Sequence, residues 1–500
     1  MIYIQRFLIL LMLFGILVLS GCAIKPVAKY QPNSPPTGWI EPLPFKQAHD
    51  GKLSDLKNWW QQFNDPVLLQ LIEAAQKVSP DIESAKTRVA AAQTEAILAG
   101  AQLLPTLTAD ANASRNHNGV VFPTGNVVNM GVSASWELDV WGKNKADDKG
   151  KQAQLSGTSA LWHEARVIVA AQTATQYLNY RLCENLSSIA RKNVESSLES
   201  ARVADLSARA GFLAPASASQ TLALAADASS EFKKQSLQCT LMVKGLVALT
   251  AISEPEMHKL LAQGSGEMPI SVSLDVNEIP AKLLLQRPDV LNAERNVDAS
   301  GFEITVSQAQ RYPRLSLSGN IGLGYDNTWR QLFPKATRSI ADGTTWSIGP
   351  IALSLPIFDA GVSAANIEMA KVQYEAAKST YESVVRNAVR EVEEALAKLN
   401  STSQRLDDVN KSAEGFKLSL NATQMRYQAN LANLFELEEA RRLNLQAQTN
   451  VLALNNERTL AWISLYRAMG GGWTQALNSP VLTIDSKLKQ TELKSSVSIP

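Results

Sequence analysis

The sequence predicts an α+β membrane protein built by internal duplication, in which each chain supplies four strands to a shared β-barrel and also forms long helical hairpins. Three observations predict this class: a secretory signal, strand-length segments of strict alternation, and two proline-free stretches much longer than ordinary helices. The 500-residue chain has a formal net charge of +1 and a mean hydropathy of −0.10. These values disfavour a multi-helix membrane protein and a nucleic-acid-binding protein.

The N-terminus resembles a bacterial lipoprotein signal. Arg6 precedes an apolar run from Phe7 to Leu19, which is too short to cross a bilayer as a helix. The run ends in Leu-Ser-Gly before Cys22, and small residues before a cysteine resemble a lipobox. We expect Cys22 to become the acylated first residue, and Ala23 stands where an inner-membrane retention signal has aspartate. The alternative is an ordinary secreted protein with a chance cysteine.

Two similar halves follow one another from Pro105 onward, each reading strand, strand, long helix, turn, long helix. Gly142 and Gly361 precede the two long helices and lie 219 residues apart. The turn segments 209–214 and 428–433 keep the same spacing. Two landmarks at one offset indicate duplication.

Four segments alternate between apolar and polar residues. They are Thr106 to Ser114, Val132 to Val140, Arg314 to Leu323, and a run from Trp346 to Ile357 whose phase changes at Gly349-Pro350. Period-two alternation over about ten residues is typical of membrane barrel strands, and the phase change predicts a bulge. Polar loops are expected at about 115–128 and 325–344. A soluble sandwich is the alternative, but only two well-separated pairs of strands fit it poorly.

Four strands cannot close a barrel, since about eight is the smallest closed number. The barrel must therefore be shared between chains, and three chains would give twelve strands. Oligomerisation is thus a prediction of the strand count.

The helical stretches are free of proline between Lys143 and Ala214 and between Ile357 and Ser479. A single helix from Lys143 to Ala210 would reach about 100 Å. Small and polar residues are frequent in both stretches, so the helices are expected to pair as coiled coils with a wet face. A solid coiled-coil spacer is the alternative, and the barrel strands favour a water-filled tube.

Cys183 lies 28 residues before Gly211, and Cys239 lies 28 residues after it. If Gly211 marks a hairpin tip, both cysteines stand at one height on antiparallel helices. A Cys183–Cys239 disulfide is expected in an oxidising compartment, with chance symmetry as the alternative.

Catalytic and metal-binding patterns are weak. His163-Glu164 begins like a zinc-binding helix, but Val167 occupies the position of the second histidine. The chain has four histidines in all. We expect no metal, no cofactor and no enzyme activity.

Several motifs occur in a fixed order along nearly the whole mature chain. They are Trp-Trp-Gln-Gln-Phe-Asn-Asp-Pro at 59–66, Leu-Pro at 104–105, Ser-Trp-Glu-Leu-Asp-Val-Trp-Gly at 135–142, Gln-Arg-Pro-Asp-Val at 286–290, Leu-Pro-Ile-Phe-Asp-Ala-Gly at 355–361 and Arg-Tyr at 426–427. With these motifs the chain resembles an outer membrane factor of the TolC/OprM type, in the lipoprotein (NodT-like) branch.

The resemblance implies a trimer with a shared twelve-stranded barrel in the outer membrane, continuous with a long periplasmic α-helical coiled-coil barrel. It implies a passive exit duct for drugs, metals or other small solutes. The partners it implies are a periplasmic adaptor (a membrane fusion protein) and an inner-membrane pump of the RND, ABC or MFS type. The alternatives are the duct of a type I protein secretion system and a non-conducting structural envelope lipoprotein.

The resemblance also places a gate at the periplasmic tip of the last helical pair. Aligning Tyr427 and Asn430 with the family's Tyr-x-x-Gly puts the acidic ring positions on Glu436 and Glu439. Three copies of two carboxylates around a pore would attract cations and raise one another's pKa. The alternative is that Glu436, Glu438 and Glu439 only solvate one face of a helix.

The chain departs from the family pattern at the tip. Asn430 replaces the usual turn glycine, and Ala432 stands where some members have a gate arginine. Glutamates replace the usual aspartates, and Val362 replaces a basic residue. These departures leave the fold intact and bear on gating.

The expected organisation follows from these motifs. It comprises a signal peptide (1–21), a lipid-anchored equatorial segment (22–60), helices of half one (61–104), strands 1 and 2 (105–140), a first long hairpin (142–253), an equatorial linker (254–280), helices of half two (281–312), strands 3 and 4 (313–358), a second long hairpin (361–470) and an equatorial tail (471–500).

Overall fold

The computed structural model describes residues 59–117, 124–264, 287–326 and 343–471, together with the single residues 40, 266, 268, 269 and 284. Cys22 and the expected signal peptide, as well as the tail after 471, lie outside the described residues.

The described chain contains eight α-helices and four strands. A short 3-10 helix (Trp59–Phe63) precedes α1 (Pro66–Val78), α2 (Pro80–Ala101), β1 (Thr106–Asn116), β2 (Gly125–Leu138), α3 (Lys143–Arg209), α4 (Pro215–Thr250), α5 (Glu254–Ala262), α6 (Pro288–Ala309), β3 (Arg314–Asp326), β4 (Gly343–Ser354), α7 (Val362–Gln428) and α8 (Leu434–Ala468).

The duplication is visible in the helix lengths. Helices α2 and α6 each have 22 residues and begin with a proline, Pro80 and Pro288. Helices α3 and α7 each have 67 residues. Proline at the first helical position costs no hydrogen bond, so both copies use the same start signal.

One compact unit lies within 89–158 and 292–381 and contains the sheet. Its strands have the order β1-β2-β3-β4, and every pair is antiparallel. The register shifts between Leu317 and Gly319, opposite a cis Gly349–Pro350 bond, which confirms the predicted bulge.

The two loops that join the strands are shorter than expected from the sequence. β1 continues to Asn116 and β2 begins at Gly125, whereas the expected loop covered 115–128. β3 likewise continues to Asp326 and β4 begins at Gly343. Polar side chains in a strand with a wet face do not end the ladder, and the sequence interpretation ended the strands too early for that reason.

The other unit lies within 33–88, 159–291 and 382–500, and its described residues form a helical core. Trp59 is fully buried and stacks on Tyr466, with ring centroids 4.5 Å apart. Asp65 caps α1 and accepts a 2.6 Å hydrogen bond from the Tyr177 hydroxyl. The buried Arg181 in turn donates to the Leu261 carbonyl at 2.9 Å. The Trp-Trp-Gln-Gln-Phe-Asn-Asp-Pro motif is thus a packing and capping element.

No single helix within the described ranges is long and apolar enough to cross a membrane. The bent pair α4 and α5, which meet at 110°, passes that test by length and composition only.

Candidate functional site

The four-stranded sheet has one apolar face and one polar face. One row across the strands consists of Ala109, Val132, Ile321 and Trp346. The adjacent row consists of Thr108, Ser133, Asn320 and Ser347. Successive residues of a strand point to opposite faces, so the two rows lie on opposite sides of the sheet. Such a wall can face lipid on one side and water on the other.

The apolar face is exposed in the single chain. Leu107 is 73% exposed, Trp346 71% and Ile351 69%. Within the described residues, β1 and β4 each pair with a neighbour on one side only. An apolar face and two open edges are the features of a barrel segment that lipid covers and other chains complete.

Aromatic residues anchor the ends of the strands that join the helices. Trp136 donates its indole N–H to the Leu103 carbonyl at 3.1 Å. Trp141 donates to the Pro313 carbonyl at 2.7 Å and stacks on Tyr312 with ring centroids 4.9 Å apart. Rings with an apolar body and a bonded polar tip suit the membrane–water boundary.

Two aspartates turn the strands into the long helices. Asp139 accepts from the backbone N–H groups of Asn144 and Lys145 at 3.1 and 2.8 Å. Asp359 accepts from Ser363 at 2.9 Å, and hydrogen bonds from the Ser363 hydroxyl and from the backbone lower the pKa of Asp359. Gly142 and Gly361, with φ of 77° and 90°, make the left-handed turn between strand and helix. Gly142 and Gly361 therefore occupy equivalent places in the two halves, each directly before a long helix.

The tip of hairpin one joins α3 to α4. Gly211 has φ of 81°, and Phe212 donates its backbone N–H to the Ser207 carbonyl at 2.9 Å. Phe212 is 87% exposed. The glycine closes α3 in the left-handed conformation that helix ends favour.

The tip of hairpin two joins α7 to α8 and is more tightly bonded. Asn430 adopts the left-handed conformation with φ of 59°, so the replacement of glycine preserves the turn. Asn433 caps α8, because its side chain accepts from Glu436 N–H at 2.9 Å while Glu436 bonds the Asn433 N–H in return. Arg426 also donates to the Leu431 carbonyl at 2.9 Å.

The candidate gate residues lie at this second tip. Tyr427 packs against a buried cluster that includes Leu434 and Leu437. Glu436 lies 3.4 Å from the Arg426 guanidinium, and Glu439 lies 2.7 Å from Arg442. Arg426 thus places a guanidinium beside Glu436 although Ala432 offers none.

The carboxylates of α8 are engaged separately in the single chain. The hydrogen bond from Arg442 lowers the pKa of Glu439, which is opposite to the rise expected from crowded carboxylates. Glu438 accepts from the Ser200 hydroxyl at 2.6 Å and from Arg441 at 2.6 Å, so it ties α8 to α3. No local pattern predicts this role, because Ser200 and Glu438 are 238 positions apart.

Cys183 and Cys239 face each other across α3 and α4. Their Cα atoms are 5.5 Å apart, and the structure joins their sulfur atoms in a disulfide. We predict that this bond forms in the oxidising periplasm.

A buried ionic cluster surrounds Arg287 of the Gln-Arg-Pro-Asp-Val motif. Arg287 donates to Asp289 at 2.7 Å, to Glu391 at 2.9 Å and to the Ala468 carbonyl at 2.9 Å. A cavity of about 220 Å³ beside it is also lined by Glu164 and Arg467. The motif therefore joins helices α6, α7 and α8, a role that its local pattern does not reveal.

Glu164 of α3 is the perturbed acid of this cluster. Burial and repulsion by Asp289 and Glu391 raise the pKa of Glu164 to about 7, against the attraction of Arg287 and Arg467. Neighbouring His163 has its pKa lowered to about 4 by burial and by Arg166. Within the described residues, no group of three or more potential ligands is placed to hold a metal ion.

The chain belongs to the outer membrane efflux protein family, whose model matches residues 71–251 and 279–471. Nodulation protein T of Rhizobium leguminosarum bv. viciae is 27% identical, covering 91% of this chain and 92% of that protein. The pyoverdine export outer membrane protein OpmQ of Pseudomonas aeruginosa is also 27% identical, covering 91% and 95%. The resemblance inferred from the sequence motifs is confirmed.

The fold agrees with solved outer membrane channels. The crystal structure of the Campylobacter jejuni CmeC outer membrane channel has a TM-score of 0.76, at 22% identity and with 95% of this chain and 98% of that chain covered. The fold class predicted from the sequence is confirmed: the chain combines one four-stranded antiparallel sheet with long helices, and this fold is shared with solved outer membrane channels. The protein is an outer membrane efflux channel with a periplasmic helical part.

Proposed function

We propose that the protein is the exit duct of a tripartite exporter. In this proposal the homotrimer receives small solutes from an inner-membrane pump, of the RND type or alternatively ABC or MFS, through a periplasmic adaptor. The observation that carries the proposal is the sheet with one apolar and one polar face. Only in a shared barrel does the apolar face contact lipid while the polar face contacts water. The duct itself performs no chemistry, and the pump selects the substrate.

The relatives indicate the range of solutes. OpmQ is named for export of pyoverdine, and a 24% identical relative from Escherichia coli is named as a cation efflux system protein, CusC. Drugs, metals and siderophore-sized solutes are therefore the substrate classes that we propose for this chain.

The proposal is tested by export and by conductance. A deletion strain should accumulate toxic solutes and regain resistance with the wild-type chain. The purified protein should run as a heat-modifiable trimer and give discrete single-channel currents. A monomer without heat-modifiable strand structure would refute the duct. A deletion defect confined to one secreted protein would favour type I secretion, and envelope weakness without conductance would favour a structural lipoprotein.

We also propose that Glu436, Glu439 and Tyr427 form the periplasmic gate. The Arg426–Glu436 pair supports this, because it links the end of α7 to the first turn of α8. A variant that carries both Glu436→Gln and Glu439→Gln should differ from the wild type in conductance or in cation selectivity. Glu199→Gln is a matched control, since Glu199 pairs with Arg202 at 2.7 Å in the same i, i+3 geometry as Glu439 with Arg442. Equal behaviour of all three proteins would place the gate elsewhere and leave the duct intact.

Lipid anchoring at Cys22 is a further part of the proposal, and it rests on the lipobox-like segment. Two or three acyl chains would hold the chain stably at the membrane. Radiolabelled palmitate should enter the wild type and not Cys22→Ser. Equal labelling of both proteins would contradict the anchor.

A further inference from the structure

The polar face of the sheet carries one carboxylate in the middle of its strands. The register places Asp110 of β1 in a row with Gly131, Gly322 and Thr345. These residues alternate with the apolar rows, so they lie on the face opposite to Val132 and Ile321. In a membrane barrel that face lines the lumen.

The two glycines leave Asp110 without bulky neighbours in its row. A Cβ atom at Gly322 would lie 2.7 Å from the Met130 carbonyl oxygen, and one at Gly131 would lie 3.0 Å from that of Ile321. The close approach of the backbones therefore excludes side chains at both positions. Across β2 and β3 nothing larger than a glycine hydrogen stands between Asp110 and Thr345.

The Asp110 carboxylate forms no ion pair in the part of the chain that the structure describes. Its Oδ2 lies 3.5 Å from the Ser133 hydroxyl. Among the described residues, no lysine or arginine lies within ion-pair distance of Asp110, whereas Glu137 at the end of β2 is paired with Lys143 at 3.6 Å.

The other charged residues of this face lie at the ends of the strands. Arg314 begins β3 and Asp326 ends it. Asp110 is the fifth residue of β1, about 14 Å along the strand from its start. A solute crossing the barrel must therefore pass the level of Asp110 at a distance from the compensating charges of the strand ends.

Threefold repetition turns this residue into a ring. A twelve-stranded barrel is roughly 25 Å across, so three inward carboxylates would stand about 15–20 Å apart. The screening length is about 10 Å at 0.1 M salt and about 30 Å at 0.01 M. The field of the ring is therefore local at physiological salt and fills the lumen in dilute salt.

We propose that Asp110 forms a ring of three carboxylates in the lumen of the barrel, which concentrates cationic solutes and retards anionic ones in the outer-membrane part of the duct. The inference rests on the proposed trimeric duct and adds to it a specificity-determining residue far from the periplasmic gate. The Asp110 side chain accepts a long 3.5 Å hydrogen bond from the Ser133 hydroxyl, and the backbone pairing of β1 with β2 does not depend on that side chain, so its replacement should leave trimer assembly unchanged.

Selectivity is measured first, in planar bilayers across a salt gradient near 0.01 M. Asp110→Asn should lower the cation-to-anion permeability ratio about twofold or more, and Asp110→Lys should invert the preference. Both effects should shrink in 1 M salt. Glu199→Gln serves as the control outside the barrel. An unchanged ratio in Asp110→Asn and Asp110→Lys trimers that still conduct would overturn the ring and retain the duct.

The facing of the side chain is measured separately, by labelling single cysteines in intact cells with a membrane-impermeant cationic thiol reagent. Asp110→Cys and Asn112→Cys should react, whereas the adjacent Ala109→Cys and Ala111→Cys should not. Reaction at 109 and 111 alone, or at none of the four, would overturn the lumenal position of Asp110. Reaction at all four positions would refute the membrane barrel itself, and with it the proposed function.

Discussion

The two helical hairpins have the same length but are held together differently. Helices α3 and α7 have 67 residues each, and their partners α4 and α8 have 36 and 35. Counted from the first residue of each helix, the forty-first residue is Cys183 in α3 and the buried Thr402 in α7. The twenty-fifth residue of the partner helix is Cys239 in α4 and Arg458 in α8. Hairpin one therefore has a covalent link at a level where hairpin two has none.

The tips differ in the opposite sense. Ala214 precedes α4 without a side-chain hydrogen bond, whereas Asn433 and Glu436 form a reciprocal cap on α8. Arg426 adds an ion pair with Glu436 at the second tip. Hairpin one thus has a disulfide between its helices and no side-chain cap at its tip. Hairpin two has an ion pair between its helices, from Arg405 to Glu457 at 3.1 Å, and a reciprocal cap at its tip. The cap and the Arg426–Glu436 pair lie at the tip where we propose the gate.

The largest difference is expected from the disulfide. The double substitution of Cys183→Ser and Cys239→Ser should lower the free energy of opening hairpin one by about 4 kcal/mol, since the bond closes a loop of 56 residues. Native-state hydrogen exchange should show faster exchange in α3 and α4 and little change in α7 and α8. Thr402→Ser is the control at the matching position. Free thiols in the native protein, found by non-reducing peptide mapping, would remove the basis of the comparison.

The next effect concerns Glu164, which stands at position 22 of α3 where α7 has the exposed Ser383. Its pKa is raised to about 7 in the folded protein from 4.5. The stabilisation from protonated Glu164 is therefore complete below pH 4.5 and is lost as the pH rises through 7. Glu164→Gln should match the wild type near pH 4.5 and be more stable by about 1–3 kcal/mol at pH 8.

Thermal unfolding in detergent over this pH range measures the difference. Glu199→Gln is the control, because Glu199 is exposed and its pKa is lowered by the hydrogen bond from Arg202. A pH-independent gap between wild type and Glu164→Gln would mean that the side chain acts by packing alone.

The turns at the two tips should respond differently to substitution. Gly211→Val and Asn430→Val should each cost about 1–2 kcal/mol, because a β-branched residue resists the φ of 81° and 59° found there. Asn430→Gly should be nearly neutral, since glycine adopts the same conformation freely. Hydrogen exchange of the tip amides reports each change. A large effect of Asn430→Gly would show that the asparagine side chain has a role beyond the turn.

The smallest effects are expected at the helix caps. Asn433→Ala should weaken the first turn of α8 by about 1 kcal/mol, and Ala214→Asn should strengthen that of α4 by a similar or smaller amount. Exchange protection of the first-turn amides provides the measurement. If neither variant brought the exchange protection of the two first turns closer together, the difference between the tips would come from packing rather than from capping.

The sequence predicts the sheet and the long helices because their signals are local. Alternation in β1 to β4, the phase change at Gly349-Pro350 and the absence of proline from α3 and α7 each follow from neighbouring residues. The symmetric spacing about Gly211 predicts that the two cysteines stand at one height, and their Cα atoms are 5.5 Å apart. A duplicated chain also offers each signal twice.

The buried polar contacts could not be predicted in this way. Glu164, Glu391 and Arg467 come from three helices, and Arg287 directly precedes a fourth; these segments are distant in sequence, so no period or motif connects them. Glu438 likewise bonds Ser200 in the other half of the chain. The gate remains a prediction for a different reason: its carboxylates would meet their counterparts only in the trimer.

The four-stranded sheet with its two open edges has a genetic consequence. In the proposed trimer each subunit supplies a third of the barrel wall, so a chain that pairs normally but is defective at the gate or in the lumen enters trimers with normal chains. Equal expression of both chains would leave only about one eighth of the trimers fully normal if assembly is random. Mutations of that kind should therefore be dominant, whereas mutations that prevent strand pairing should be recessive.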